Sequence, residues 1–443
     1  MIFVFYFFAA ILVLLSYKSF RGGIAYLRFF RTELAKPRSE FTPFVTVIAP
    51  CRGLDDGLEQ NLAALFTLDY PDYELIFVVD DKSDAAVAVI NGILNRRDAE
   101  TPSQLIENGK WKMESEGKDL AFSTSNSSYL FSSASPHPLD KNGPSARLVI
   151  AQKAIHSSQK VENLREAVLH AAARSKAFVF VDSDARPSKR WLRSLIAPLA
   201  DETVGATTGY RWFISENPTF GSELRSAWNA SIASALGPNT KSNFCWGGSM
   251  AVRRDTFERL EIRDKWVGTL SDDFAVTRAV KAAGLPIVFV PQALTASVED
   301  CTLSETIEFT NRQMKITRVY ATPLWILSLV GSGLFNAVLI AAFLIVILSG
   351  SNGLPVWVSL AVLLLVTSFS IGKSWLRLKA VRLILTDYND ELRRQFWTQN
   401  TLWLLAPALF LYNSLAALAS RQMTWRGIRY ELKSPTETVI ITD

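Results

Sequence analysis

The run Ala177-Phe178-Val179-Phe180-Val181-Asp182-Ser183-Asp184 carries five apolar residues straight into two aspartates. Leu75 to Val79 does the same, running into Asp80-Asp81 with Asp84 close behind. Short apolar runs of this kind read as buried strands. Around them the pattern alternates. Val45–Ala49 reads as a strand and Leu58–Phe66 as a helix with Leu58, Leu62, Leu65 and Phe66 on one face. Ala85–Leu94 reads as a helix, Arg147–Ile150 as a strand and Val161–Ala173 as a helix. Strands alternating with helices predict a mostly parallel, Rossmann-like α/β sheet covered on both faces. On such sheets ligands bind beyond the carboxyl ends of the strands, where both aspartate clusters emerge.

Residues 98–146 interrupt the alternation with Ser, Asn, Gly and Pro and no sustained period, and read as a flexible insertion. The tail from Ser434 is polar and is expected to fray.

Apolar residues are clumped elsewhere too. Met1–Leu15, Leu324–Leu348, Leu354–Ile371 and Thr401–Ala419 are four apolar runs, and a helix needs about 20 such residues to cross a bilayer. The first lacks a basic leader and a small-x-small cleavage site, so it reads as an uncleaved anchor over residues 1–20. The segment 324–420 reads as a C-terminal membrane region and 421–443 as a tail. Lys18, Arg21, Arg28 and Arg31 follow the first run, and Lys373, Arg377, Lys379 and Arg382 follow the third. The positive-inside rule then places residues 41–300 in the cytoplasm. A full crossing by 401–419 would put Arg421, Arg426, Arg429 and Lys433 outside, unless the segment breaks at Pro407 and returns.

The net charge of +5 is gathered beside these runs, which fits anionic headgroups and not nucleic acid. Cys51, Cys245 and Cys301 lack metal-site spacing and read as small buried thiols.

Like charges as close as Asp182 and Asp184 call for a cation to offset them. Two carboxylates two residues apart can both face Mg2+ or Mn2+, a hard ion often shared with substrate phosphates, so a nucleotide diphosphate fits. The plain structural reading is helix capping, with Asp184 ahead of Pro187 and a helix near Ser188. Asp272-Asp273 opens a further helix reaching about Ala283. There Asp273 is either a first-turn acid or a general base. Trp246-Gly247-Gly248-Ser249 allows close backbone approach to a ligand or forms an ordinary turn. Leu303–Tyr320, within 303–322, reads as an interfacial amphipathic helix whose cations Arg312, Lys315 and Arg318 face headgroups or a diphosphate.

In this order the residues resemble the membrane-bound family 2 and family 21 glycosyltransferases of the GT-A fold, and most of all ceramide glucosyltransferase and its bacterial relatives. Pro50-Cys51-Arg52-Gly53-Leu54-Asp55 with Asn61-Leu62 is similar to the family's opening Pro-x-Lys-Gly-x-Asp and Asn-Leu. Leu68-Asp69-Tyr70-Pro71-Asp72-Tyr73-Glu74 is similar to its Leu-Asp-Tyr-Pro-x-Tyr-Glu, and Lys160 with Asn163-Leu164 to its Pro-Lys-x-x-Asn-Leu. Trp425-Arg426 with Arg429-Tyr430 resembles its closing Trp-Arg-x-x-Arg-Tyr.

The resemblance implies an inverting transfer of a hexose, glucose first among them, from a UDP-sugar to a membrane lipid such as ceramide. It implies Asp273 as catalytic base and Asp182 and Asp184 as ligands of Mg2+ or Mn2+. Pro50, Arg52, Gly53, Asp81, Lys160, Asp182, Gly247, Arg312 and Lys315 would meet the donor. The implied membrane is the bacterial inner membrane, or Golgi or endoplasmic reticulum in a eukaryote. The family's Gln/Arg-x-x-Arg-Trp appears here as Arg312-Gln313-Met314-Lys315-Ile316. Processive polysaccharide synthases, the nearest alternative, rely on the missing tryptophan, so the departure favours single transfer. A non-catalytic membrane protein would use the carboxylates only as caps or as a structural cation site. No histidine lies between Phe220 and Ser242, where the eukaryotic ceramide enzymes carry one. The sequence is silent on oligomeric state.

Overall fold

The computed structural model describes residues 2–99, 143–349 and 353–441. Most of the 98–146 insertion, residues 100–142, therefore lies outside the described residues, as does 350–352 in the link between the second and third apolar runs.

The chain opens with α1 (Ile2–Leu34), β1 (Val45–Pro50), α2 (Leu58–Ala64), β2 (Tyr73–Val79), α3 (Ala85–Ala99) and β3 (Ser145–Ile150). There follow α4 (Gln159–Ala167), β4 (Ala177–Phe180), α5 (Trp191–Ile196), β5 (Ala206–Ile214), α6 (Phe220–Ala233) and β6 (Met250–Arg253). Next come α7 (Arg254–Arg259), α8 (Ile262–Lys265), α9 (Asp272–Ala282), β7 (Ile287–Val298) and α10 (Leu303–Tyr320). The chain ends with α11 (Thr322–Leu348), α12 (Leu354–Val381), α13 (Asn389–Thr401), α14 (Ala406–Ala419), β8 (Gln422–Trp425), β9 (Ile428–Ser434) and β10 (Glu437–Ile441).

Strands β1 to β7 form one sheet in the order β3-β2-β1-β4-β6-β5-β7, and β6 is antiparallel to both of its neighbours. The rest run parallel, so the predicted α/β GT-A architecture holds. Every residue of β1, β2 and β4 is buried, as strands covered on both faces require. The motif ending in Glu74 proves structural. Tyr70 donates to the Pro43 carbonyl at 2.6 Å and Tyr73 to that of Leu65 at 2.8 Å. Buried Glu74 accepts from Thr46 Oγ1 at 2.7 Å and the Ala172 amide at 2.6 Å, and pairs with Arg147.

Among the described residues three helices are long and apolar enough to span a membrane: α1, α11 and α12. They carry exposed Phe3, Phe7, Leu327, Leu344 and Leu364, an apolar surface suited to lipid. The anchor is longer than residues 1–20, because α1 continues to Leu34 as one wall of the globular part. There Phe29 and Phe30 pack against Phe289 of β7, with ring centroids 6.2 and 6.1 Å apart.

The last apolar run is bent, and the helices on either side of the break meet at 57°. Before the break, Gln395 of α13 accepts from the indole of Trp212 at 3.0 Å and donates to the Phe213 carbonyl at 2.9 Å. After it, Arg426 pairs with Asp55. Both ends of the segment thus rest on the same globular body, which keeps Arg421, Arg426, Arg429 and Lys433 on the side of the sheet and fits a segment that dips and returns.

The expected frayed tail is a correction: β8, β9 and β10 form a second, antiparallel sheet ending at Ile441. Met423, Tyr430 and Leu432 are buried with Leu270, Ile316 and Tyr320, and this apolar contact holds the tail down.

Gly221 sets where α10 begins. A Cβ on it would come within 2.6 Å of the Leu303 amide nitrogen and overlap the Thr302 carbonyl. Backbone cannot swing aside, so Gly221→Ala is expected to cost about 1–3 kcal/mol. The check is a thermal unfolding midpoint several degrees below the parent in detergent; an unchanged midpoint would show that α6 and α10 can part freely.

Candidate active site

A cleft of about 480 Å3 opens at the carboxyl ends of β1 and β4. It is lined by Pro50 and Arg52 after β1, Asp182 and Asp184 after β4, Lys160 on α4, Asp272 and Asp273 on α9, and Arg312 on α10. Trp425, Arg426 and Tyr430 of the tail sheet close it from above.

Neither Asp182 nor Asp184 caps a helix, because α5 starts only at Trp191 and has no side-chain cap. Their repulsion is met by two side-chain cations. Lys160 Nζ lies 2.7 Å from Asp182 Oδ1 and 3.0 Å from Asp272 Oδ1. Arg211 Nη1 lies 2.9 Å from Asp184 Oδ2, and its Nη2 3.6 Å from Asp182 Oδ2. Burial pushes the Asp184 carboxyl up, but Arg211, Arg426 and Lys160 outweigh it and hold it below the usual range. Burial also pushes Asp272 up to about 6, although Lys160 pulls the other way. Among the described residues no three His, Cys, Asp or Glu side chains gather as a metal-binding group. Two buried oxygens still lack partners: Asp184 Oδ1 and Asp272 Oδ2. The free oxygen on Asp184, two residues from Asp182, suits an ion that takes its other ligands from phosphates and water, as Mg2+ does.

Asp273 lies in the first turn of α9, at the cleft. Its Oδ1 accepts from Ser271 Oγ and from the Phe274 amide at 2.7 Å, and its Oδ2 from the Gly247 amide at 3.3 Å. Gly247 leaves room for the charged pair: a Cβ there would sit 2.8 Å from Lys160 Nζ and overlap Asp272 Oδ2, so those side chains would have to shift.

The three cations of α10 part ways. Arg312 borders the cleft between the rings of Phe309 and Trp425, 5.4 and 5.8 Å from their centroids. It makes no ion pair among the described residues, and burial lowers its guanidinium to about 10. Lys315 does not line this cleft. Its Nζ donates to the Gln422 carbonyl at 2.6 Å, beside a neighbouring cavity. Arg318 donates to the Ala417 and Leu418 carbonyls, the unpaired end of α14, so its place is a helix terminus and not a headgroup.

Gly53 and Asp81 also stand off the cleft lining. The Gly53 amide donates to Asp84 Oδ1 at 2.9 Å in a left-handed turn. Asp81 accepts from the Ser83 amide and hydroxyl at 3.0 and 2.8 Å and pairs with Lys153 at 3.0 Å. Those Ser83 bonds, with Lys153, hold its carboxyl well below the usual range. Its neighbour Asp80 turns inward and is buried, pairing with Arg52 and with Lys153 at 2.8 Å.

One residue of the site, Arg211, carries no sequence motif, while the contacts made by Asn61 and Arg426 of the quoted motifs appear only in the fold. Arg211 lies inside the otherwise uncharged strand β5, and that lone charge was its only signal. Asn61 joins α2 to the aspartate turn by donating to the Ser183 carbonyl at 3.0 Å and accepting from Arg186 at 2.9 Å. Arg426 sits at φ 51 and Gly427 at φ 77, the left-handed pair of a two-residue hairpin turn. A non-glycine residue in that conformation is strained. Here its guanidinium reaches Asp55 while its carbonyl accepts from Arg52 Nε at 3.1 Å.

The sequence profile of glycosyl transferase family 21 matches residues 6–108 and 140–438. The chain belongs to glycosyl transferase family 21. Its reaction is therefore a glycosyl transfer. Among solved structures, a mannosyltransferase, PcManGT from Pyrobaculum calidifontis in complex with GDP-mannose and Mn2+, is 18% identical. The match covers 91% of this chain and 99% of that one, with a TM-score of 0.41. A mycobacterial protein is 13% identical over 66% of this chain and 77% of its own, with a TM-score of 0.32.

Proposed function

We propose that this family 21 glycosyltransferase moves a hexose, glucose first among candidates, from a UDP-sugar to the hydroxyl of a membrane lipid such as ceramide, with inversion. The observation that carries the reading is the wall of the cleft formed by α10. That helix puts Arg312 beside the carboxylates and ends two residues before α11, a helix fit to span a bilayer. A lipid hydroxyl could enter there while its chains stay in hydrocarbon.

In this reading Asp273, oriented by Ser271 and the Gly247 amide, takes the proton from the acceptor hydroxyl. The freed oxygen attacks the anomeric carbon, the bond to the diphosphate breaks, and UDP departs with its electron pair. Arg312 offsets the charge that grows on the leaving group. Pro50 and Arg52 border the place for the uridine. Asp182 and Asp184 would hold Mg2+ or Mn2+, which supplies further charge neutralisation to the diphosphate when bound. The catalytic side would face the cytoplasm, following the Lys and Arg bias around the spans.

The test incubates membranes containing the protein with labelled UDP-glucose, UDP-galactose or UDP-N-acetylglucosamine, with Mg2+ or Mn2+ and then with EDTA. Label in the lipid extract from one donor, lost with EDTA, is the expected result. Label only in water-soluble polymer, or from no donor across several acceptor lipids, would overturn the lipid-transfer reading.

A further inference from the structure

A second cavity of about 270 Å3 lies among the membrane helices, walled by α1, α6, α11, α12, α13 and the break before α14. Its lining is divided in kind. One end carries Lys373, Arg377 and Gln399, and the other Leu12 and Phe335.

The cationic end lacks a counter-charge. Arg377 is only 4% exposed, yet its Nε has no hydrogen-bond partner. Its Nη2 reaches Ser374 Oγ and Gln399 Oε1 only at 3.4 and 3.3 Å, both long. Among the described residues no Asp or Glu lines the cavity, and neither Lys373 nor Arg377 makes an ion pair. A buried cation without an anion is costly, and two in one cavity repel each other as well.

Depth points to the class of anion. At 1.5 Å per residue, Arg377 stands about 34 Å along α12 from Leu354. The hydrocarbon core is about 30 Å thick. Arg377 therefore sits at headgroup level, on the same side as the catalytic cleft, and Lys373, at about 28 Å, lies at the edge of the hydrocarbon beneath it. Leu12 is about 15 Å along α1 from Ile2, at acyl-chain depth.

We propose that this cavity holds a lipid with a net negative, phosphate-bearing headgroup, the phosphate against Lys373 and Arg377 and the upper part of one chain against Leu12 and Phe335. This lipid is not the acceptor. Trp228 stacks on Phe410 at 4.8 Å and meets Phe309 edge-on at 6.2 Å. Phe410 borders this cavity and Phe309 the catalytic cleft, so an aromatic layer divides the two. The lipid would act as a bound wedge between α1, α12 and the returning segment.

The test uses delipidated full-length protein in detergent, with thermal unfolding and native mass spectrometry as readouts. The probes are phosphatidylglycerol, phosphatidylcholine and glycerol 3-phosphate. Phosphatidylglycerol is expected to raise the unfolding midpoint by several degrees and to be retained on the protein, while the other two do little. Lys373→Gln is expected to weaken that response at least tenfold. Gly331→Leu tests the apolar end, because nothing lies within 4 Å of a Cβ added there, so the larger side chain takes lipid space without a clash. It is expected to weaken phosphatidylglycerol binding to a similar extent while leaving the lipid-free midpoint intact. Arg377→Gln is read only if it folds, and the other two variants decide without it. Equal effects of the two phospholipids, a response to glycerol 3-phosphate as large as that to the lipid, or variants that bind like the parent would each overturn the proposal.

Discussion

Asp273→Asn lowers the rate of sugar transfer by about 10²–10⁴-fold, the range lost when a positioned general base is removed. The substitution keeps the size of the side chain and the oxygen that accepts from Ser271 Oγ and the Phe274 amide. What disappears is the capacity to take a proton, along with the weak acceptor for the Gly247 amide. UDP binding, followed by calorimetry, should therefore stay within a few-fold of the parent, and the loss should fall on turnover. The same assay on Asp272→Asn separates the two neighbours, since Asp272 is tied to Lys160 and is not free to serve the acceptor. Transfer by Asp273→Asn within threefold of the parent would remove Asp273 from the mechanism.

The largest effect on stability is expected at Lys160. Its ammonium serves Asp182 and Asp272 together, and all three side chains are largely shielded, at 15%, 17% and 3% exposure. Lys160→Met leaves two carboxylates facing each other without their shared cation. Breaking a buried charge cluster by removing one partner costs about 3–5 kcal/mol. Adding Asp272→Asn to Lys160→Met removes one stranded charge and should recover part of the loss.

The pH dependence follows in sign. Burial already raises Asp272 from 3.8 to about 6, so across that window the folded protein binds more protons than the unfolded chain. Stability from this group is then greatest on the acid side and falls as pH rises through the folded value. Without Lys160 the carboxyl rises further, so the deficit should be largest near pH 8 and shrink toward pH 5. Unfolding midpoints of the parent, Lys160→Met and the double variant at both pH values check this. A deficit independent of pH would mean that lost packing, and not stranded charge, is the cause.

Helix or strand periods and apolar runs are local properties, and they were legible in the sequence. Leu303–Tyr320 was read with both ends as observed, because its cap and its period lie within the helix itself. The strands running into Asp80 and Asp182 were legible for the same reason: a run buried on both faces has to be apolar, and it stops where the carboxylates begin. The placement of Asp182 and Asp184 at the carboxyl edge of the sheet followed from strand direction, whereas Asp273, on a helix, was implied there only by the resemblance.

What remained was decided by contacts between residues far apart in sequence. Only the fold shows that the charge on Asp182 and Asp184 is met by Lys160 and Arg211 before any metal is considered, because those cations come from α4 and β5. Only the fold turns Lys315 toward Gln422 and leaves Arg312 at the cleft, since both sit on one helix and its packing sets which side faces inward. The tail is the clearest case. Its strands are short and mixed in polarity, and nothing local marks them as ordered. Met423, Tyr430 and Leu432 become buried only once Leu270 and Tyr320 are brought beneath them. Local chemistry in the sequence determined the elements and the acidic cleft, while burial and charge pairing over long separations decided which side chains are free to act there.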